Sequence, residues 1–468
     1  MKRYEKLADE ITNLIRSEVL KIGDKIPSVR QACQTYRVSP STVFQAYYFL
    51  ENKGLILAKA RSGYFVRDHM IDVLQEPEIF SKTAHITDVN ISELVFSVLD
   101  LLRHPQIIPF GSAFPSPDLF PSERLSKSMT KSLKQLSTKA IISSMTAGDQ
   151  HLRRQIAVRY MKNAVPVDKE ELVITNGAME ALNLCLQAVT EPNDLVAIEA
   201  PAFYATLQSL ERLKLKAVEI PVHPREGIDL NVLEDVLERL PIKACWFMSN
   251  LHNPMGASMS ESKKQRLSEL IEKFQIPLIE DDVYAELYYD QPLKPVKSFD
   301  KKGLVMHCGS FSKCLAPGYR VGWVAGGRYM QKINQLKLMS SISPSVPAQA
   351  AIADYLEYGG YDRYLRKLRY LLMSQQDAML SAISRYFPKN VKVTKPNGGY
   401  FLWVQCHEKV DSLLLFNDAL AQGISLVPGP IFSATHHFRH CFRLNYGYPW
   451  SEDFEQAMQT LGQLLHQY

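Results

Sequence analysis

Residues 310 to 323 read SFSKCLAPGYRVGW: a lysine with two serines just before it, an arginine seven positions on, and then an apolar run with the character of a strand. An amine at Lys313 can form an imine with an aldehyde, while Ser310, Ser312 and Arg320 can hold a phosphate. Both abilities belong to one covalent cofactor site, so the fold has to bring these side chains to one point. Together they suggest pyridoxal phosphate.

The segments on either side fit such a site. After Pro109, helix-like and strand-like stretches alternate, as in a mainly parallel sheet covered by helices. ELVITNGAMEALNLCLQAV predicts a strand, a turn at Asn176 and Gly177, and a helix from about Ala178. The N–H groups at that helix end can bind a phosphate, although a glycine before a helix also serves as a plain turn. EAPAFYATLQSL sets Phe203 and Tyr204 just beyond another strand, where an aromatic face either stacks on a flat ring or joins the core.

KACWFMSNLHNPMG ends a buried strand with Asn253, whose amide can reach a ring hydroxyl oxygen. FQIPLIEDDVYAELYY ends another with Glu280, Asp281, Asp282 and Tyr284. Adjacent carboxylates at a strand end are costly to bury without a cation or a protonated partner. A protonated pyridine nitrogen is such a partner: Asp281 opposite it would keep the ring an electron sink, and Tyr284 could donate to the ring oxygen. Late in the chain, Arg443 in HCFRLNYGY either clamps a carboxylate through two parallel hydrogen bonds or makes a plain structural ion pair.

The N-terminal region has a different character. Residues 1 to 70 hold 12 Lys+Arg against 7 Asp+Glu, and the remaining 42 basic and 42 acidic residues cancel, so the whole formal surplus sits at this end. That is what contact with a phosphate backbone requires, and also what an ordinary solvated face can show. Leu7, Ile11, Leu14 and Ile15 make one helical stripe; Gly23 and Asp24 make a turn; Ser28 caps a second helix. Ser39 caps a third with Pro40 at its first position.

In that third helix Val43, Ala46, Tyr47 and Leu50 face inward and leave Ser41, Thr42 and Gln45 for base edges. Lys53 and Gly54 end it, and LILAKARSGYFV predicts two strands about a turn containing Arg61, Ser62 and Gly63. The order is that of a winged helix-turn-helix, with a helical interaction domain as the alternative. Residues 68 to 105 have little periodicity and are expected to be a linker with one short helix around Ile91 to Leu102, long enough to let the head move.

A chain of 468 residues has the length of about three domains. Its seven cysteines, Cys33, Cys185, Cys245, Cys308, Cys314, Cys406 and Cys441, are odd in number and form no CxxC pair, which suits a reducing cytoplasm. No signal peptide and no run of about 18 uncharged apolar residues is visible. The expectation is a cytoplasmic protein with no membrane partner and no metal site.

Taken in order, the motifs carry two resemblances. Residues 1 to 67, through IPSVRQACQTYRVSPSTVFQAYYFLENKGLI and RSGYFV, look like the GntR-type DNA-binding domain; this implies that Arg30, the start of the third helix with Ser39, Ser41, Thr42 and Gln45, and the wing with Arg61 and Gly63 sit at the DNA. TNGAMEAL, PAFY, HNPMG, EDDVY, SFSKCLAPGYRVGW, GGYFLW and FRLNYG together resemble the fold-type I aminotransferases over about residues 106 to 468.

That second resemblance implies an α/β body with a large subdomain over about 106 to 340 and a smaller C-terminal α/β subdomain over about 341 to 468. It further implies Lys313 as the Schiff-base lysine, Asp281 as the pyridinium partner, Asn253 and Tyr284 at the ring oxygen, and Phe203 stacked on the ring. Gly177, Ala178, Ser310, Ser312 and Arg320 would hold the phosphate, and Arg443 a substrate or effector carboxylate. The fusion of the two parts is similar to the MocR-type transcriptional regulators, which implies a homodimer reading double-stranded DNA. One departure is visible: in ISSMTAGDQHLRRQIA, Ser143 and Ser144 stand where many of these enzymes carry a tyrosine that reaches the partner subunit's phosphate.

The expected function is a DNA-binding transcriptional regulator whose body binds pyridoxal phosphate and senses an amine or amino acid. The alternatives are a working aminotransferase carrying a DNA-binding head, and a DNA-binding protein with an emptied enzyme fold.

Overall fold

Short polar residues start the helices of the N-terminal region where the sequence expects them. In the computed structural model, Ser28 caps helix α2 (Val29–Tyr36) in a reciprocal box: its hydroxyl accepts from the Gln31 N–H at 3.3 Å, and its own N–H donates to the Gln31 side chain at 2.9 Å. Ser39 accepts from the Thr42 N–H at 3.3 Å and opens α3 (Pro40–Asn52). Together with α1 (Arg3–Arg16) these helices bury Leu7, Ile11, Val43, Ala46, Tyr47 and Leu50 in one core. The Tyr47 hydroxyl is satisfied there, donating to the Pro27 carbonyl at 2.6 Å. Strands β1 (Ile56–Lys59) and β2 (Gly63–Val66) pair antiparallel as the wing, from Ile56 opposite Val66 to Lys59 opposite Gly63.

The structure describes residues 3–17, 19–21, 23–52, 55–59, 63–66, 74–79, 86–101, 107–138, 142, 144 and 147–468. The expected wing residues Arg61 and Ser62, the helix stop at Lys53 and Gly54, and Ser143 lie outside them. Two compact units result: Met1–Leu74 with Met379–Lys389, and Gln75–Ala378 with Asn390–Tyr468. Among the described residues no helix is long and apolar enough to cross a membrane.

The second unit is built on a mixed sheet. Its strands are β3 (Ile86–Asp88), β4 (Leu172–Thr175), β5 (Leu195–Ala200), β6 (Lys216–His223), β7 (Gly227–Ile228), β8 (Ile242–Phe247), β9 (Leu278–Asp281), β10 (Val305–Ser310) and β11 (Gly322–Ala325). They run in the order β3, β6, β5, β8, β9, β10, β11, β4, with β7 paired to β6. The central neighbours from β6 to β10 are parallel, as expected, but β3, β4 and β11 pair antiparallel. The reason lies in the lysine segment: Phe311 to Val321 is too short for the helical crossover that a parallel return needs, so β11 runs straight back.

A second, antiparallel sheet orders β12 (Lys392–Val393), β13 (Phe401–Gln405), β15 (Cys441–Asn445) and β14 (Val427–Pro428), placing Arg443 between Trp403 and Val427. The first helix beyond residue 340 does not belong with this small sheet. Val346–Tyr358 packs on Ser122–Gln135 and Gln150–Lys162, so the expected boundary at about 340 falls too early.

The linker expectation needs a larger correction. β3 adds an edge to the main sheet, with Ile86 opposite Val218, while the expected short helix forms as α4 (Ser92–Leu101) and buries Val95 and Val98. Gln75 bridges to Lys392, and the Glu78 N–H donates to the Gln405 side chain at 2.7 Å. Residues 74–79 and 86–101 are therefore packed parts of the chain and not free tether; 68–73, 80–85 and 102–105 lie outside the described residues.

One carboxylate starts α4: Glu211 accepts from the Ile91 N–H at 2.8 Å and from the Ser92 N–H and hydroxyl at 2.9 Å each. Glu211→Ala is expected to cost about 1 kcal/mol locally by leaving helix donors unpaired. Hydrogen exchange should then quicken at Ile91 to Val95 while the β5 amides stay protected.

Candidate active site

The antiparallel return of β11 assembles the phosphate end of the site. Ser310 stands opposite Gly322, and Gly322 opposite Thr175, so one row across three strands brings the start of helix Ala178–Val189 beside the serines. Gly177 precedes that helix at φ 75°, with no side chain capping the helix end. A Cβ on Gly177 would sit 2.6 Å from Arg320 Nη2, and one on Gly322 would sit 2.5 Å from the Gly177 carbonyl carbon. Glycine at both positions keeps open a space bounded by backbone N–H groups, two hydroxyls and a guanidinium, the donor set of an anion cradle.

Strand register sets the other end. Asp281 pairs with Cys308, two residues from Ser310 and hence on the same face. Lys313, Asp281, Tyr284, Phe203, Ala178, Ser310, Ser312 and Arg320 line one cavity of ≈ 250 Å³ at the carboxyl ends of the parallel strands. Asn253 and Arg443 adjoin it through Tyr284: the Asn253 amide donates to the Tyr284 hydroxyl at 3.4 Å, and Arg443 Nη1 donates to Asn253 Oδ1 at 3.0 Å. A larger cavity of ≈ 390 Å³, lined by Tyr160, Asp282 and His307, holds only Ser310 of the expected site residues.

Electrostatics separate the three charged groups. Asp281 is buried, its carboxyl is pushed up to about 7 by loss of water, and the Val283 N–H serves it while Oδ1 has no hydrogen-bond partner. Lys313 is held down to about 7, chiefly by burial and then by Arg443, against the pull of Asp281. Its Nζ donates to the Ala113 carbonyl at 3.0 Å and lies 3.9 Å from the centre of the Phe114 ring. Asp282, beside Asp281, is spent elsewhere: it accepts from His307 Nε2 at 2.9 Å and from the Asn250 amide at 3.0 Å.

Arg443 is fully buried, and burial lowers its pKa. It donates from Nη2 to the Gly111 and Ser112 carbonyls at 3.2 and 3.4 Å, stacks 4.0 Å over Phe401, and leaves Nε without a partner. No carboxylate lies within ion-pair distance among the described residues, so of the two expectations for Arg443 the structural ion pair falls.

The residues present fit the cofactor that the sequence suggested: an unpartnered buried carboxylate oxygen for a ring N–H, a near-neutral amine for an aldehyde, and a donor cradle for a phosphate. Sequence reasoning missed Ala113 and Phe114, which hold Lys313, and gave no role to Tyr400, whose hydroxyl also donates to the Ala113 carbonyl at 3.2 Å. GSAFPSP carries no chemistry of its own, and only the fold brings it across to Lys313.

On the DNA side, Arg30, Ser39, Ser41 and Gln45 are exposed, Thr42 is partly buried, and Gly63 opens β2 at φ 103°. A winged helix-turn-helix joined to a body with this pocket defines a class, DNA-binding regulators with an aminotransferase-like domain. Comparison with known proteins agrees. Residues 3–66 match the gntR family of bacterial regulatory proteins, and residues 116–461 match aminotransferase class I and II.

The chain is 42% identical over its full length, and that of the relative, to the uncharacterized HTH-type transcriptional regulator YdcR of Escherichia coli. It also resembles the multiple substrate aminotransferase of Thermococcus profundus, at 30% identity and TM-score 0.75 over 80% of this chain and 94% of that one. LysN, the alpha-aminoadipate aminotransferase of Thermus thermophilus, solved with N-(5'-phosphopyridoxyl)-L-leucine, is similar at 27% identity and TM-score 0.73, over 81% and 99%. The chain belongs to the aminotransferase class I and II family and, with its GntR head, has the MocR-type architecture of a DNA-binding transcriptional regulator.

Proposed function

We propose that the body binds pyridoxal phosphate at Lys313 and that an amine or amino acid taken up there changes how the head binds DNA. The observation that carries this is the meeting, in one cavity, of a near-neutral lysine with a buried carboxylate oxygen that has no partner. When bound, the cofactor supplies an aldehyde carbon and a ring that withdraws electrons. The likeness to a protein solved with a phosphopyridoxyl-leucine adduct supports the same reading.

Each residue has a task in it. Lys313 offers its amine as the nucleophile and base, and Asp281 holds a proton between its free oxygen and the ring nitrogen. Tyr284 and Asn253 orient the ring oxygen, and Phe203 covers the ring face. Gly177, Ala178, Ser310, Ser312 and Arg320 grip the phosphate, and Arg443 clamps the carboxylate of an amino acid. Arg30, Ser39, Ser41, Thr42, Gln45, Arg61 and Gly63 lie at the DNA, with residues 1–67 as the reading domain. Two chains would pair as a homodimer, so that two heads meet two half-sites.

Sensing requires the ligand to differ in affinity between two arrangements of the protein. DNA affinity measured on the holoprotein across a panel of amines and amino acids should therefore move for at least one of them; an unchanged affinity for all would end the sensing reading. The second reading, amino-group transfer, is favoured by the same Lys313, since an amine held down to about 7 can pass a proton in both directions near neutrality. Transfer to a 2-oxo acid at about 1 per second or faster would promote it.

A further inference from the structure

We propose that Phe44 reads a thymine methyl group in the major groove, so that this regulator's half-site is selected partly by an apolar contact. The inference rests on the head's binding of double-stranded DNA and adds which base it distinguishes.

The hydroxyls at the start of α3 are largely committed to one another. Ser39 Oγ caps the helix and also lies 2.8 Å from Ser41 Oγ and 2.9 Å from Thr42 Oγ1, and Thr42 is partly buried. One turn further along the same outward face stand Phe44, 54% exposed, and Tyr48, 66% exposed, with Gln45 exposed beside them. A single exposed apolar residue needs no explanation. An aromatic pair at i and i+4, in the second and third turns of the helix that a winged helix-turn-helix lays in the major groove, has a chemical counterpart there.

The major groove offers one apolar group, the C5-methyl of thymine, and a phenyl ring can cover it. Gln45, next in the chain, has the amide that pairs with adenine N6 and N7. Phe44 and Gln45 together are suited to a step containing an A·T pair. The occupant of this face is DNA and not another protein on the ground of charge, because the head carries the chain's entire basic surplus.

The test uses the full chain with pyridoxal phosphate and a random duplex library. Enriched duplexes are then remade with deoxyuridine for thymidine, which removes only the methyl, one position at a time. At one half-site position the wild type should lose about fourfold in affinity, the worth of one buried methyl. Phe44→Ala should bind the thymidine and deoxyuridine duplexes equally, whereas Phe44→Leu should keep part of the preference. The variants' circular dichroism should match the wild type, because Phe44 lies outside the head's core.

Indifference of the wild type to uridine at every position, or a preference that survives in Phe44→Ala, overturns the inference while leaving DNA binding intact. Retention of no duplex at all removes the DNA-binding reading and this inference with it.

Discussion

Lys313→Ala leaves a protein that takes up no covalent pyridoxal phosphate: the visible absorption band falls to background, and borohydride treatment followed by mass spectrometry finds no adduct on the peptide that carries the mass in the wild type. The alanine protein should still bind DNA, but amines should no longer shift its affinity. The physical basis is the state of the amine. Burial, with Arg443 and Arg320 nearby, outweighs the pull of Asp281 and holds Lys313 down to about 7. Only the neutral amine attacks a carbonyl, and a lowered pKa means that the neutral form gains as pH rises through that value.

Wild-type band formation on adding the cofactor should accordingly quicken from about pH 6 to about pH 8 and then level off, well below the range of an ordinary lysine. A rate that kept climbing to about pH 10 would show an unperturbed amine. Asp281, pushed up to about 7, titrates over the same range, so the observed midpoint belongs to the pair and not to Lys313 alone.

Arg443→Ala should separate amino acids from plain amines. A buried guanidinium whose partners among the described residues are two carbonyls and one amide oxygen, with no carboxylate, holds a charge that nothing of opposite sign there offsets. An incoming carboxylate supplies what is missing. Truncating one side of such a buried pair costs about 2 kcal/mol or more, or about 30-fold in affinity. Absorbance titration of the holoprotein should show that loss for an amino acid and little change for the amine lacking its carboxylate. Arg443→Lys should recover part of the difference. An equal loss for both ligands would mean that Arg443 serves packing over Phe401, with no role in recognition.

Much of the molecule was legible beforehand where chemistry is local. Ser28 and Ser39 act on backbone N–H groups three residues ahead, and both cap their helices as expected. The turn at Asn176 and Gly177 needs a left-handed backbone that glycine adopts freely, and it sits where the sequence predicts. What was misjudged is long-range. Ile86–Asp88 is too short for its alternation to be read, and it becomes a strand only because β6 offers an unpaired edge. Helix α4 falls where a short helix was expected, but its start is fixed by Glu211, more than a hundred residues away in sequence.

The residue types that a cofactor pocket and a DNA-reading head require, and the local turns and caps that present them, are written along the chain, because each depends on neighbours within a few positions. Which of three consecutive carboxylates stays free is not. Glu280 accepts from the Val296 and Lys297 N–H groups, Asp282 is taken by His307 and Asn250, and only Asp281 keeps an oxygen without a partner beside Lys313. That selection comes from strand register and from loop and turn segments that meet the strand end only in the fold, and hydrogen bonds between such parts exist only once the core has closed.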